Sequence, residues 1–150
     1  MAQPGTTLAD VGEMSMLREL LVDLPTSPAI SVGAGDDAAV FLVNGSAVVS
    51  TDTLVEGNHF RRDWSTATDI GRKAVAVSVS DLEAMGAVPV TMVVAMSAPA
   101  SLEISWVRDF LQGVLEEAER ADISLVGGDT TRSRDPVSYT HLTLPTTPYV

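Results

Sequence analysis

Four acidic positions, each flanked by glycine or small polar residues, are the part of the sequence best suited to chemistry. They are Asp37 in Gly-Asp-Asp, Asp52 in Ser-Thr-Asp, Asp81 in Ser-Asp-Leu and Asp129 in Gly-Gly-Asp-Thr-Thr. Carboxylate and hydroxyl oxygens, in a chain without cysteine, suit a hard cation such as magnesium. Magnesium ions between carboxylates and phosphate oxygens would stabilise the charge that develops during phosphoryl transfer. An adjacent pair of acids is, however, also typical of a simple turn.

The net charge of the chain limits the partners it can have. The sequence carries 20 acidic against 9 basic residues, a net charge of −11. Such a surface would repel nucleic acid, whose binding depends on lysine and arginine. It would also repel free phosphates, so a nucleotide ligand requires a divalent cation between the two negative parties. We therefore expect no nucleic-acid partner.

The cellular location is predicted from what the sequence lacks. No apolar run reaches the roughly 18 residues that a membrane helix needs. The start of the chain shows neither the basic residues nor the apolar stretch of a signal peptide. With no cysteine there is no disulfide framework and no thiolate metal site. We therefore expect a cytoplasmic protein with no membrane partner.

Asp81 is the aspartate that most needs a partner. Periodicity predicts that it lies on the apolar stripe of a helix, where a buried carboxylate must be compensated. The positions four residues away are Val77 and Met85, which offer no positive charge. A metal ion would provide the compensation. The alternative is that the helix is rotated and Asp81 is simply exposed to solvent.

The predicted secondary structure places these acids on an α+β domain, with helices over one face of a mixed sheet. Most of the acids fall in loops near strand ends, where ligands usually bind. Alternation, periodicity and capping residues predict these elements in chain order: a helix that is capped by Asp10 and runs to residue 23, a loop at 33–37, strands over 38–43 and 47–53 joined by a hairpin turn at 44–46, a loop over 54–65, a helix to residue 85 capped by Thr68 or Asp69 and ended by Gly86, a strand over 90–97, a helix over 101–120 capped by Ser101, and a strand over 123–126 that leads into a loop at 127–131.

The same motifs resemble those of thiamine-monophosphate kinases. The segments at 35–39, 50–60, 80–87 and 127–131 are similar in order and spacing to those of that family, over roughly residues 10–134. Val-Glu-Gly-Asn-His-Phe at 55–60 separates the family from its relatives. The resemblance implies the fold of the N-terminal domain of aminoimidazole ribonucleotide synthetase-like proteins. It also implies a homodimer formed through the sheets of two such domains.

The activity implied by the resemblance is direct transfer of phosphate from ATP to thiamine monophosphate, giving thiamine diphosphate, with several magnesium ions. His59 would contact the thiamine phosphate. Without the resemblance, a lone loop histidine is most often solvated and idle, although the nearby Phe60 and Trp64 favour an organic ligand. ATP would be contacted by Gly128 and Asp129. By motif match, the magnesium ligands would be Asp37, Ser50, Thr51, Asp52, Asp81 and Asp129.

Residues 135–150 differ in character from the rest. They are rich in threonine and proline, and residues 138–150 match nothing in the family, so we expect a domain over 1–134 and a non-native tail. Family members are about twice as long, and their second domain supplies further contacts. We therefore expect the chain alone to be inactive. The alternatives are a noncatalytic metal-binding or dimerisation module, or another ATP-dependent synthetase of the same superfamily.

Overall fold

The structure, a computed structural model, describes residues 5–22, 24–35, 37–133 and 141–148. Helices and strands alternate along these segments. Their order is α1 Leu8–Val11, α2 Glu13–Leu20, β1 Ile30–Val32, β2 Val40–Phe41, β3 Val48–Ser50, α3 Ala67–Ala84, β4 Ala87–Pro89, β5 Thr91–Ala98, α4 Ile104–Arg120, β6 Ser124–Arg132 and β7 His141–Pro148.

The described strands form two sheets. β1 and β2 pair with each other as a small antiparallel sheet. The larger sheet has the order β3-β7-β5-β6, with β4 also pairing with β7. β5 and β6 are parallel, whereas β7 is antiparallel to β3, β4 and β5. The prediction of a mixed sheet is therefore confirmed.

Helix α3 forms because its first turn is closed by its own side chains. The Thr66 hydroxyl donates to Asp69 Oδ2 at 2.6 Å, and the Asp69 N–H donates back to Thr66 Oγ1 at 3.2 Å. This reciprocal pair satisfies donors that the helix start leaves free. The predicted helix is confirmed, and it ends at Gly86 with a positive φ. The predicted caps are wrong: Thr66 is the N-cap, and Asp69 lies in the first turn.

Helices α3 and α4 cross at two glycines. A Cβ atom at Gly71 would lie 2.1 Å from the Phe110 carbonyl oxygen, and one at Gly113 would lie 2.0 Å from the Thr68 carbonyl oxygen. These distances exclude any side chain at either position, so the helix backbones touch directly. The close crossing lets the larger side chains beside it, such as Val75 and Val114, become fully buried.

Helix α4 confirms the helix predicted over 101–120 and turns its apolar residues inward. Val107, Phe110, Val114 and Ala118 are all buried, as the period of 3.6 residues requires. The start of the helix is later than predicted, since the N-cap is Glu103. Ser101 does not cap the helix, because two residues, Leu102 and Glu103, lie between it and the first helical residue, Ile104.

The N-terminal helix is shorter than predicted and is interrupted. Gly12, with φ 76°, separates α1 from α2. The prediction that Asp10 caps the helix is wrong, because Asp10 lies in the first turn of α1. Its carboxylate accepts from both the N–H and the hydroxyl of Thr7, which is the N-cap of α1. These hydrogen bonds lower the pKa of Asp10. The predicted helix end at Asp23 lies outside the described residues.

Strand pairing departs from the predicted hairpin. Both strands around residues 44–46 exist but are short, and the described residues show no pairing between them. β2 pairs with β1, and β3 pairs with β7 instead. Strands β4 and β7 were not expected. The origin of residues 135–150 stays a prediction, since residues 134–140 lie outside the description.

The hydrophobic core lies between the two long helices and strands β5 and β6. Fully buried side chains on both helices and on β5 form its centre: Ile70, Val75, Leu82, Met92, Phe110 and Val114. Within the described residues, no helix has the length and hydropathy to cross a membrane.

Candidate nucleotide and metal site

The Gly-Gly-Asp-Thr-Thr motif lies inside strand β6 and not in the loop that its glycines predict. The reason is the neighbouring strand. A Cβ atom at Gly128 would lie 1.9 Å from the carbonyl oxygen of Val94, so only glycine lets β6 approach β5 here. The register slips by one residue just before the motif, since Met92 pairs with Leu125 but Val93 pairs with Gly127. Such bulges re-aim the side chains that follow.

A cavity of about 220 Å³ lies beside the motif. Its apolar wall comes from α2, α4, β5 and β6: Met16, Met96, Val107, Phe110, Leu111 and Leu125. Its polar rim joins two segments far apart in sequence. Ala34 and Gly35 come from the glycine loop between β1 and β2, and Gly127, Gly128 and Asp129 come from β6. An apolar pocket with an acidic, glycine-rich rim suits a ligand with one flat apolar part and one charged part.

Asp129 is the predicted metal ligand that lines this cavity. It lies opposite Ala95 of β5 and is exposed. None of the ion pairs found among the described residues involves Asp129, Asp52 or Asp81. The carboxylate at the rim is therefore not neutralised by an arginine or lysine of the described part of the chain.

The predicted ligands around Ser50 lie at the end of β3. Ser50 is the last residue of that strand, Thr51 is exposed, and Asp52 is half-buried. Asp52 Oδ1 accepts a hydrogen bond of 2.6 Å from the backbone N–H of Thr53. This bond fixes one carboxylate oxygen locally and leaves the other for a different partner. Asp37 is exposed just beyond the glycine loop, and its neighbour Asp36 lies outside the described residues.

Asp81 is exposed, so the prediction that it lies on a buried stripe is wrong. The buried face of α3 passes through Ala74, Ser78 and Leu82. Neighbouring residues on a helix point about 100° apart, and Asp81 is therefore turned away from the position of Leu82. Met85, four residues after Asp81, is likewise 70% exposed. The alternative of a rotated helix is the correct one. Because Asp81 is not buried, its carboxylate does not need a metal ion for compensation.

The structure does not gather the four aspartates into a preformed cage. Across the described residues, no group of three or more acidic or histidine side chains is arranged to hold a metal ion. The donor chemistry nevertheless fits magnesium, which is usually held by one or two carboxylates together with substrate phosphates and water. Asp129 at the cavity rim meets that smaller requirement. The metal roles of Asp37, Ser50, Thr51, Asp52 and Asp81 stay predictions.

His59 lies in a tightly bonded loop. The ring Nδ1 of His59 accepts a hydrogen bond of 3.0 Å from the backbone N–H of Val55. The backbone N–H of His59 donates to the Val55 carbonyl oxygen at 2.8 Å. Gly57 N–H donates to the Phe60 carbonyl oxygen at 2.8 Å, and the Phe60 side chain is buried. The histidine is exposed, and its ring is held by the loop itself.

A cleft of about 330 Å³ opens beside His59. Asn58, Arg61, Trp64, Asp69 and Lys73 also line it. Lys73 was missed by sequence reasoning. It donates a hydrogen bond to the carbonyl oxygen of His59. A contact from a side chain to a backbone atom produces no sequence motif. The one sequence feature that could have drawn attention to Lys73 is that it is the single lysine of the chain.

Hydrogen bonds shift the pKa values of charged groups in and next to this cleft. Asp63 accepts two hydrogen bonds from Arg61, which lower the pKa of Asp63 and raise that of Arg61. The Thr66 hydroxyl lowers the pKa of Asp69. The Arg61 guanidinium also lies 4.3 Å from the centre of the Trp64 ring, so a cation stacks on an exposed aromatic face.

Comparison with known proteins gives a consistent result. Residues 35–145 match the family described as AIR synthase related protein, N-terminal domain. The chain is 40% identical over 135 residues to the thiamine-monophosphate kinase of Mycobacterium tuberculosis, covering 89% of this chain and 40% of that protein. It is 43% identical over 130 residues to that of Corynebacterium glutamicum, covering 85% of this chain and 38% of that protein.

A solved structure shows the same fold. The crystal structure of thiamine-monophosphate kinase from Stenotrophomonas maltophilia matches with a TM-score of 0.71 and 37% identity, over 87% of this chain and 40% of that one. The chain thus spans about 40% of the length of the relatives it matches.

Proposed function

The chain belongs to the family of AIR synthase related proteins, as an N-terminal domain, and on that premise we propose that it is the nucleotide-binding part of a thiamine-monophosphate kinase. The reaction is transfer of a phosphate from ATP to thiamine monophosphate. Identities of 40% and 43% to proteins of that name support this choice over other members of the superfamily.

The cavity between the glycine loop and β6 is the observation that carries the proposal. Its apolar wall, with Met96 and Phe110, suits the base of a nucleotide. At its rim, Gly35 has no side chain and nothing lies within 4 Å of where its Cβ would be, so a phosphate group can approach the backbone there. The net charge of −11 would repel those phosphates, so ATP has to arrive with a cation. Asp129 is placed to receive that cation.

Magnesium would be held by Asp129 together with the phosphates, with Asp52 and Asp37 as further predicted ligands. When bound, it would neutralise the negative charge that develops on the transferred phosphate. The residues of the chain would position the magnesium ion and the phosphates. Asp52 already has one oxygen fixed by Thr53, and the bulge in β6 aims Asp129 at the cavity.

The second substrate would bind next to His59. Phe60, the neighbour of His59, lines one hollow with Ala98, the last residue of β5, which supports this choice. Asp129 lies opposite Ala95 of the same strand, three residues earlier, which is roughly 10 Å along a strand. The two proposed binding places would therefore lie along the same strand.

We also propose that two copies of the domain associate through their strands. Leu42 and Val49 are 67% and 56% exposed, beside or within short strands. Apolar residues in such positions favour contact with another protein surface. This observation also favours the second candidate function, a dimerisation module without activity of its own. Sedimentation of the wild type and of Leu42→Glu distinguishes a dimer from a monomer.

A chimera tests the kinase proposal. Residues 5–133 would replace the matching segment of the Corynebacterium glutamicum enzyme, and formation of thiamine diphosphate would be measured with and without magnesium. We expect magnesium-dependent product from the chimera and none from the 150-residue chain alone. A chimera that folds, as shown by circular dichroism, but binds neither ATP nor thiamine monophosphate would contradict the proposal.

A further inference from the structure

Three backbone hydrogen bonds hold the histidine loop in place. The N–H groups of Asn58 and His59 both donate to the Val55 carbonyl oxygen, at 3.2 and 2.8 Å. Gly57 and Phe60 close the turn from the other side. The carbonyl oxygen of His59 takes no part in these backbone bonds. It is instead the acceptor for the ammonium group of Lys73.

Lys73 differs from the neighbouring cations in the bond it makes. Arg61 pairs with Asp63, Arg62 with Glu56, and Arg72 with Asp69 and Glu116. In the described part of the chain, Lys73 makes no ion pair with a carboxylate. An ammonium group has three donors. One is used on the loop, and Lys73 lines the same cleft as His59.

The histidine ring is held in one tautomer by the same loop. Because Nδ1 accepts from the Val55 N–H, the ring proton must lie on Nε2. His59 is exposed and lines the cleft, so the Nε2–H is left to donate to a ligand. A displaced loop would lose the Val55 contact, and the proton could then occupy either nitrogen.

We propose that Lys73 is a positioning residue. Its ammonium group fixes the His59 carbonyl, and through it keeps the His59 ring in the orientation that presents Nε2–H to the cleft. The ligand is the phosphate group of the thiamine monophosphate substrate, and this assignment rests on the proposed function. The positive charge of Lys73 also makes the cleft favourable for an anion in a strongly acidic chain. Asp69, on the same cleft wall, is occupied by Thr66 and Arg72.

The first test follows the histidine tautomer and needs no activity. The 150-residue chain would be labelled with ¹⁵N-histidine, and the His59 signals assigned by their loss in His59→Gln. We expect the wild type to show a single tautomer protonated at Nε2. Lys73→Met should give a mixture of tautomers, whereas Lys73→Arg should restore the single form because it keeps a charged donor. Arg120→Met, which removes an exposed charge elsewhere, should change nothing.

The second test separates positioning from general damage. Calorimetry would measure the affinity of the same chains for thiamine monophosphate and for ATP with magnesium. We expect Lys73→Met to weaken thiamine monophosphate binding about tenfold or more, the effect of losing a hydrogen bond to a charged group, with ATP binding unchanged. A fall in both affinities, or in neither, would overturn the proposal.

The two tests distinguish this inference from the kinase proposal. If the wild-type chain does not bind thiamine monophosphate, the substrate assignment fails, and the tautomer measurement still decides the role of Lys73. An unchanged tautomer in Lys73→Met overturns the positioning role, even if the chimera described above is an active kinase.

Discussion

Gly128 lies against Val94 so closely that a Cβ atom on the glycine would come within 1.9 Å of the Val94 carbonyl oxygen. Strands β5 and β6 are joined at the point where β6 carries Asp129. The fit of these two backbones therefore sets both the stability of the sheet and the position of the acid at the cavity rim.

Substitution of Gly128 by alanine tests this relationship. We expect Gly128→Ala to reduce the free energy of unfolding by about 1–3 kcal/mol, the usual cost of overpacking, and to weaken ATP binding, because β6 must move away from β5. The control is Gly33→Ala, where the added Cβ would meet Ile30 at 3.8 Å, an ordinary contact. Chemical denaturation and calorimetry measure both quantities. Equal stability of the two variants would contradict the close packing.

The role of Asp129 is tested through the magnesium dependence of ATP binding. Asp129→Asn keeps the size of the side chain but removes its charge, and we expect the affinity for ATP with magnesium to fall about tenfold or more. Binding of ATP without magnesium should change little. Asp109→Asn, an exposed aspartate on α4, is the matched control. A similar loss in the control would show that only net charge matters.

The start of α3 gives a prediction about stability. Thr66→Ala removes the hydroxyl that bonds Asp69, and we expect it to cost about 1 kcal/mol in the free energy of unfolding. Ser101→Ala should be close to neutral, because Ser101 does not cap α4. Urea unfolding of the two variants compares an observed cap with a residue that sequence alone suggested as one. The reverse order of stabilities would rule out this assignment.

Acid should selectively weaken the same helix start. The Thr66 hydroxyl lowers the pKa of Asp69 in the folded chain below its unfolded value of about 3.9. A depressed pKa stabilises the fold fully above the unfolded value, and this contribution disappears as the pH falls through the folded pKa. Asp69→Asn should therefore melt below the wild type near neutral pH, with the difference shrinking below about pH 4. A constant difference across that range would argue against this hydrogen bond.

Sequence reasoning worked best where one periodic pattern determines one element. The two long helices and β5 were predicted because their apolar spacing or continuous apolar run fills the core directly. The caps were displaced by two or three residues, since Thr66, Thr68 and Ser101 are chemically similar and only the backbone path decides which of them bonds.

The candidate site was harder to predict, because it depends on contacts between distant segments. Asp129, which its glycine-flanked motif singles out, lines the cavity, and its metal role stays a prediction, whereas the comparisons support the kinase family. Asp81 was placed on the wrong face, because a stripe drawn one position away from Leu82 contains an equally plausible set of apolar residues. Lys73 was missed because its partner is a carbonyl group, which every residue has.

The division of the strands into two sheets has a consequence for how tightly a ligand is held. Gly35 lies in the loop that joins the two strands of the small sheet, and Asp129 belongs to the large sheet, yet both border one cavity. A ligand bound there would contact both sheets and connect them. Part of its binding free energy would offset the cost of ordering one sheet relative to the other. Dissociation of the ligand would then depend on separation of the two sheets. The residence time of the ligand would be set by the backbone as much as by the side chains that contact it.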